Sequence, residues 1–323
     1  MPRLMILAAD IGGTNSRFGC LEAKPLGGWA VHNYEKINVS DYITFDDALT
    51  AYMKSIDYKP KRAAIAAAGP VEQDYVSLTN ANWQISARQI ENLHGIETCG
   101  LFNDFAGMTR SIKELSDDDF KVVRDGQTHP HEPILVAGPG TGFGVGYLVP
   151  SKAGLHVIST EGGHTAYNPR TDLEFALLKR LKLDRDYVSL ELVSSGMGLS
   201  TIHKAICDIY GQDYAYLSPE AIRERGIQGE PICADVCKIR ACAVMGAVGD
   251  FALAGGARGG IVLAGGVSQH MIDFYMQEDA MNRFLERGVR SNYIRDIPVR
   301  LLKSSFAPLI GSAALLTDST LPR

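Results

Sequence analysis

Three glycine-rich turns hold the residues best suited to chemistry in this sequence. They are "DIGGTN" at Asp10 to Asn15, "GPGTGFG" at Gly138 to Gly144, and "LAGGV" around Gly265 and Gly266, and each follows a short apolar run. Glycine lets backbone N–H groups come close to a phosphate and adopt positive φ, while Thr14 and Thr141 add a hydroxyl donor beside them. Taken singly, Gly12-Gly13 reads equally well as a plain tight turn. The three in this order point to a phosphate-bearing ligand. No GxxxxGK[ST] occurs, and "IGGTNSRFGC" runs into an alternating strand rather than a helix, which excludes the Walker and dinucleotide-binding loops. The phosphates would be gripped from hairpins.

Acidic residues stand beside these turns. Asp10 lies at the mouth of the first, where a carboxylate next to phosphate donors calls for a cation. Mg²⁺, held by one or two carboxylates, waters and nucleotide phosphates, supplies it; a turn-capping aspartate is the alternative. In "FNDF", Asn103 and Asp104 end an expected strand at the edge where open α/β sheets bind ligands, so Asp104 could take a proton from a substrate hydroxyl. A helix N-cap explains the same pair. "TEGGH" groups Glu161, two glycines and His164 after another strand, an acceptor and a donor of the kind that read adjacent hydroxyls. A structural histidine is the competing reading of His164. Glu191 in "LELVSSGMG" is a third acceptor before a glycine turn, or one residue of a solvated face.

The elements that must position these residues follow from apolar periodicity. "LMILAAD" and "SRFGCLEA" read as strands joined by the first turn, then come a helix near "DALTAYMKSI", a buried strand "AAIAAAG", a strand around "YVSLTN" and a helix "SARQIENL" capped by Ser86. "TCGLFND" is a further strand, with a helix from about Phe105. The acidic, glycine- and proline-bearing stretch "KELSDDDFKVVRDGQTHPHEP" breaks the pattern and marks the connection between two domains, with the boundary near Glu114. Beyond it, "PILVAGPGTGFGVGYLVP" echoes the start of the chain as strand, turn and strand, which suggests two related halves facing a common ligand. "DLEFALLKRLKL" places Leu173, Leu177, Leu178 and Leu181 on one helical face, and "ICADVCKIRACAVMGAVGDFALAGG" reads as a long buried helix. "GIVLAGG" is a strand entering the helix "SQHMIDFYM", and "IPVRLLKSS" with "PLIGSAALL" gives a last strand and helix.

With 323 residues and 46% hydrophobic content, the chain has material for about two domains. A net charge of -5 without a basic block argues against nucleic acid as a partner. No apolar run reaches the ~18 residues of a membrane span, and the first one stops at Asp10 without a basic lead or cleavage site, so a cytoplasmic protein is expected. The six cysteines lack a paired framework, and "CADVCKIRAC" has helical rather than zinc-knuckle spacing; core packing is expected of Cys233, Cys237 and Cys242, and no zinc site.

"DIGGTN", "FNDF", "GPGTGFGVG", "TEGGH", "ELVSSGMGL" and "LAGGV" occur in an order and spacing that resemble the bacterial glucokinases of the hexokinase, acetate kinase and actin-like superfamily, over nearly the whole chain. The resemblance implies a two-domain α/β fold of the actin-like ATPase (ribonuclease H-like) kind, with a mixed sheet in each domain and an interdomain cleft. The small domain would be residues 1–114 plus 304–323, and the large domain residues 115–303. It implies ATP-dependent phosphorylation of the glucose 6-hydroxyl with Asp104 as general base, Asn103, Glu161, His164 and Glu191 on the sugar, and Asp10 organising Mg²⁺. Gly12, Gly13, Thr14 and Asn15 match the first phosphate hairpin, Gly140, Thr141 and Gly142 the second, and Gly265 with Gly266 the adenosine-side turn. A homodimer is implied in the same way.

The sequence also departs from its relatives. Sugar kinases of the repressor, open-reading-frame and kinase group carry a cysteine-rich zinc motif soon after the "EGGH" histidine, whereas "EGGHTAYNPRTDLEF" has no cysteine, so the chain resembles the zinc-free branch. Thr160 stands where many glucokinases have glycine, which is expected to alter loop stiffness. Spacing leaves open a kinase for mannose, fructose or an amino sugar, and a polyphosphate donor. A sugar-sensing regulator would carry an N-terminal helix-turn-helix ahead of the first turn, and an actin-like ATPase would not need Glu161, His164 and Glu191.

Overall fold

The computed structural model describes residues 5–25, 27–69, 71, 72, 74–78 and 83–320, the side chains of Ser319 and Thr320 excepted. Two compact units emerge, Met1–Asp119 with Ser304–Arg323, and Phe120–Lys303.

The first unit begins with β1 (Met5–Ile11) and β2 (Asn15–Ala23), an antiparallel hairpin in which Asp10 faces Arg17 and Ile11 faces Ser16 across the Gly12–Thr14 turn. β3 (Trp29–Asn38) adds to β2; then follow α1 (Phe45–Ser55), β4 (Arg62–Ala67), the short strands β5 (Val71–Glu72), β6 (Tyr75–Ser77) and β7 (Gln84–Ser86), α2 (Ala87–His94), β8 (Thr98–Asn103) and α3 (Asp104–Ser111). The main sheet has the order β3-β2-β1-β4-β8, with β1, β4 and β8 parallel. Ser86 caps α2 as its sequence suggests, accepting from Gln89 N–H. Leu4 of the first expected strand, and Thr79 and Asn80 of the "YVSLTN" strand, lie outside the described residues.

The second unit opens with β9 (Phe120–Arg124), β10 (Ile134–Pro139), β11 (Phe143–Ser151) and β12 (Gly154–Thr160). Helices α4 (Asp172–Leu181), α5 (Leu190–Ser194), α6 (Gly198–Tyr210), α7 (Pro219–Ile227) and the long α8 (Pro231–Ala254) follow. β13 (Gly260–Leu263), α9 (Gly266–Tyr275), α10 (Glu278–Leu285), α11 (Ser291–Arg295) and β14 (Val299–Leu302) complete it. The sheet order is β12-β11-β10-β13-β14-β9. β10 pairs antiparallel with β11 and parallel with β13, repeating the relation of β1 to β2 and β4.

The last helix, α12 (Ala307–Thr320), returns to the first unit. Period-2 alternation in β1 explains the layering: Ile6 and Ala8 meet Leu309, Ile310, Ala313 and Leu316 of α12, while Leu7, Ala9 and Ile11 face Phe45 and Leu49 of α1 and Ile90 of α2. A sheet buried on both faces reads as a continuous apolar run, which is what "LMILAA" is. In the second unit α8 is the central helix, and Cys233, Cys237 and Cys242 lie buried in the core that it forms.

Sequence periodicity leaves several strands unassigned, β3 and β9 among them. β3 carries few buried residues, and β9 sits inside the stretch read as a connection, where the acidic run Asp117–Asp119 obscures it. β9 is an antiparallel edge strand on β14 and begins the second unit at Phe120.

Candidate active site

In the first unit the parallel strands bring Asp10 and the β8–α3 junction to one edge, since Ile11 is level with Ala67 and Ala67 with Asn103. Helix α3 starts immediately after Asn103, whose Oδ1 accepts from the N–H groups of Phe105 (3.0 Å) and Ala106 (3.2 Å) and whose Nδ2 donates to Gly69 O. Asn103 is therefore the N-cap, and the cap reading belongs to it rather than to Asp104. Asp104 occupies the first helical position, with Oδ1 accepting from Phe105 N–H at 2.8 Å. Its carboxyl is pushed up to about 6, chiefly by burial and next by the charge of Asp10, against the pull of the N–H bonds.

Asp10 is itself buried, and burial raises its carboxyl above the usual range while Arg17, by charge and hydrogen bond, draws it back. Arg17 Nη1 lies 2.6 Å from Asp10 Oδ2. The cation that sequence reasoning required beside Asp10 is thus partly present in the chain. Cross-strand register was the signal that could have found it: counting outward from the pair Ile11 and Ser16 puts Arg17 opposite Asp10. The other Asp10 oxygen, Oδ1, has no partner among the described residues. In the turn, Gly12 N–H closes onto Asn15 O at 3.1 Å and Val39 N–H holds Thr14 O.

In the second unit, the segment of Glu161 and His164 lies beside the one that carries Glu191. Thr165 O accepts from Leu190 N–H, Tyr167 N–H donates to Val188 O, and Ala166 bridges Ser189, so the residues after His164 run beside those before Glu191. The glycines of "EGGH" are required by close approach: a Cβ on Gly162 would press into Val145 and one on Gly163 into the carbonyl of Phe143. Thr160 Oγ1 donates to Val145 O and accepts from Gly162 N–H, and Tyr187 OH donates to His164 O at 2.8 Å. Thr160 therefore fixes the start of this loop. The two polar ends stay open to solvent, with Glu161 92% and His164 62% exposed at the side chain and 4.0 Å apart.

The second glycine turn is held from α5. Gly140 N–H donates to Gly142 O, Gly196 N–H donates to Gly140 O, and Phe143 N–H donates to Glu191 Oε2 at 2.8 Å. The third turn lies against the second. Gly265 has φ +88, and any Cβ there would strike Pro139 O, so both backbone conformation and space demand glycine at the start of α9. Gly140, Thr141, Gly142, Gly265 and Gly266 thus form one backbone surface at the N-terminus of a ten-residue helix, an arrangement suited to anionic groups.

Several comparisons bear on this arrangement. The glucokinase family model matches residues 7–319. A glucokinase from Chromobacterium violaceum is 35% identical over 325 aligned residues, covering 100% of this chain and 91% of its own. The crystal structure of a glucokinase from an Antarctic psychrotroph superposes with a TM-score of 0.89 at 32% identity, covering 98% of this chain and 99% of that one. A glucokinase from Streptomyces griseus, solved with glucose and AMPPNP, shares the fold at a TM-score of 0.65 and 18% identity, covering 96% of this chain and 98% of its own.

Proposed function

Because the chain belongs to the glucokinase family, we propose that it transfers the γ-phosphoryl group of ATP to the 6-hydroxyl of glucose, with Asp104 as the general base. The observation that carries the proposal is the division of labour at the β8–α3 junction. Asn103 takes the cap, which releases Asp104 from that duty, and burial beside Asp10 makes Asp104 a stronger base than an ordinary aspartate while leaving it ionised at neutral pH.

Phosphoryl transfer needs positioning and charge neutralisation more than covalent chemistry. In this reading the turns at Gly12, Gly13, Thr14 and Asn15 and at Gly140, Thr141 and Gly142 cradle the phosphates, with Gly265 and Gly266 on the adenosine side. Glu161, His164 and Glu191 read the sugar hydroxyls, and Asn103 offers its remaining Nδ2 hydrogen. The donor set fits Mg²⁺: Asp10 Oδ1 is unpartnered, Asp104 is nearby, and an ion bound through waters and phosphates needs only one or two carboxylates. When bound, it would neutralise charge on the transferring phosphate. Arg17 holds the Asp10 carboxylate in place for this task. Homodimer assembly, cytoplasmic location and a role at the entry to glycolysis belong to the same reading and rest on the family.

The test is Mg²⁺-dependent ADP release from ATP with glucose, mannose, fructose, N-acetylglucosamine and no sugar, with a parallel polyphosphate arm. Release with glucose far above the others is expected. Equal release with and without sugar would replace the proposal with an ATPase.

A further inference from the structure

Glu191 has two neighbours of different kinds. Its Oε2 accepts from Phe143 N–H, the backbone group that ends the second glycine turn, and its carboxylate fills the space above Gly142, where a Cβ would collide with it. Its Oε1 has no hydrogen-bond partner among the described residues. Just past the other end of the same short helix, Gly196 N–H holds Gly140 O at 2.9 Å. Helix α5 therefore grips the turn at both of its ends. Phe143 is also where Gly163 of the "EGGH" loop packs.

We propose that Glu191 is a tie between the two substrates: one carboxylate oxygen orders the phosphate turn and the other receives a sugar hydroxyl, so that each substrate strengthens the binding of the other. The inference rests on the placement of Glu191 at the sugar in the reading above. A carboxylate is planar, so a sugar hydroxyl that fixes Oε1 also fixes the direction of Oε2. Ordering of the Phe143 N–H bond, and with it the turn, is then already accomplished when nucleotide arrives. Linkage makes the effect reciprocal. Phe143 N–H is committed to Glu191, so the turn offers phosphates its other donors, and their direction depends on that bond.

The experiment is calorimetric binding of Mg·AMPPNP with and without saturating glucose, and of glucose with and without Mg·AMPPNP, to the full chain. In the parent, each ligand should tighten the other by about fivefold or more, the usual range of such coupling. Two variants break the tie from opposite sides. In Glu191→Gln, the amide oxygen can keep Phe143 N–H, but the NH2 that replaces Oε1 cannot accept a proton from a sugar hydroxyl. In Gly142→Ala, the new methyl displaces the carboxylate from Phe143 N–H while Glu191 remains. Coupling should fall below about twofold in both, with glucose binding alone weakened in Glu191→Gln. Parental coupling in either folded variant, or none in the parent, overturns the tie. Unchanged glucose affinity in Glu191→Gln instead removes Glu191 from the sugar and overturns the reading beneath it. The turn variant keeps the question decidable if Glu191→Gln does not fold.

Discussion

Asp10 and Asp104 of the first unit and Glu161 of the second are opposites in environment. Asp10 and Asp104 are desolvated and displaced upward in proton affinity, Asp104 also by the charge of Asp10, whereas Glu161 and its neighbour His164 project into solvent. A proton acceptor gains basicity from burial and from a like charge. A recognition group gains nothing from being dry before its ligand arrives, and an exposed carboxylate avoids the penalty of an unpaired buried charge. In the proposed function, the contrast separates a region suited to chemistry from one suited to reading hydroxyls.

The largest effect should come from Asp104→Asn. Turnover should fall by about 10²–10⁴-fold, the range for a lost general base, while glucose affinity by calorimetry stays near parental. Loss of the folded state would move Asp104 from chemistry to architecture and erase the contrast. Glu161→Gln and His164→Ala should act the other way, raising the glucose dissociation constant by about 10- to 100-fold, as expected for hydrogen bonds worth roughly 1.5–3 kcal/mol, with little change in melting temperature. Affinity that does not move in either variant would take that residue off the sugar.

Proton affinity gives a third comparison. With Asp104 titrating near 6 in the folded protein, kcat/KM should lose about tenfold per pH unit below that value. The sign for stability is the reverse of the usual aspartate. A carboxyl raised from 3.8 to about 6 binds its proton more tightly when folded, so its stabilisation is complete below pH 3.8 and is lost as pH rises through about 6. Asp104→Asn should therefore melt higher than the parent above pH 6, and this advantage should shrink toward pH 4. A variant no more stable at pH 7 than at pH 4 would show that burial at Asp104 is relieved. The smallest effect belongs to Asn103→Ala, which should cost about 1 kcal/mol of stability through the lost cap. Urea denaturation would measure it, and no change would mean that α3 is capped otherwise.

Much of the frame was legible because both hairpins and the long α8 carry strong local signals: glycine between apolar strands, and an unbroken apolar helix. β9 was not, since five residues behind an acidic run have too little pattern of their own and become a strand only by pairing with β14. The candidate site divides in the same way. Motif spacing pointed to Asp10, Asp104, Glu161, His164 and Glu191. The Asp10–Arg17 pair depends on strand register, and the bond from Phe143 N–H to Glu191 joins residues 48 positions apart, so only tertiary structure reveals it. Thr160 was legible as a departure from glycine but not as a brace, because its role needs Val145 and Gly162 on either side.

Helix α12 carries one more consequence. Gly311 meets the backbone of Gly107 in α3, Arg110 reaches Asp318 at 2.7 Å, and Arg62 binds Leu316 O, so the helix that bears Asp104 leans on residues made after the whole second unit. At ~5–20 residues per second on the ribosome, roughly ten to forty seconds separate synthesis of the two partners. By the end of that interval a nascent chain has all three glycine turns but still lacks the support beneath Asp104. Such a chain should be unable to spend ATP on sugar, and premature termination would leave a harmless fragment rather than a leaky phosphatase of the nucleotide pool.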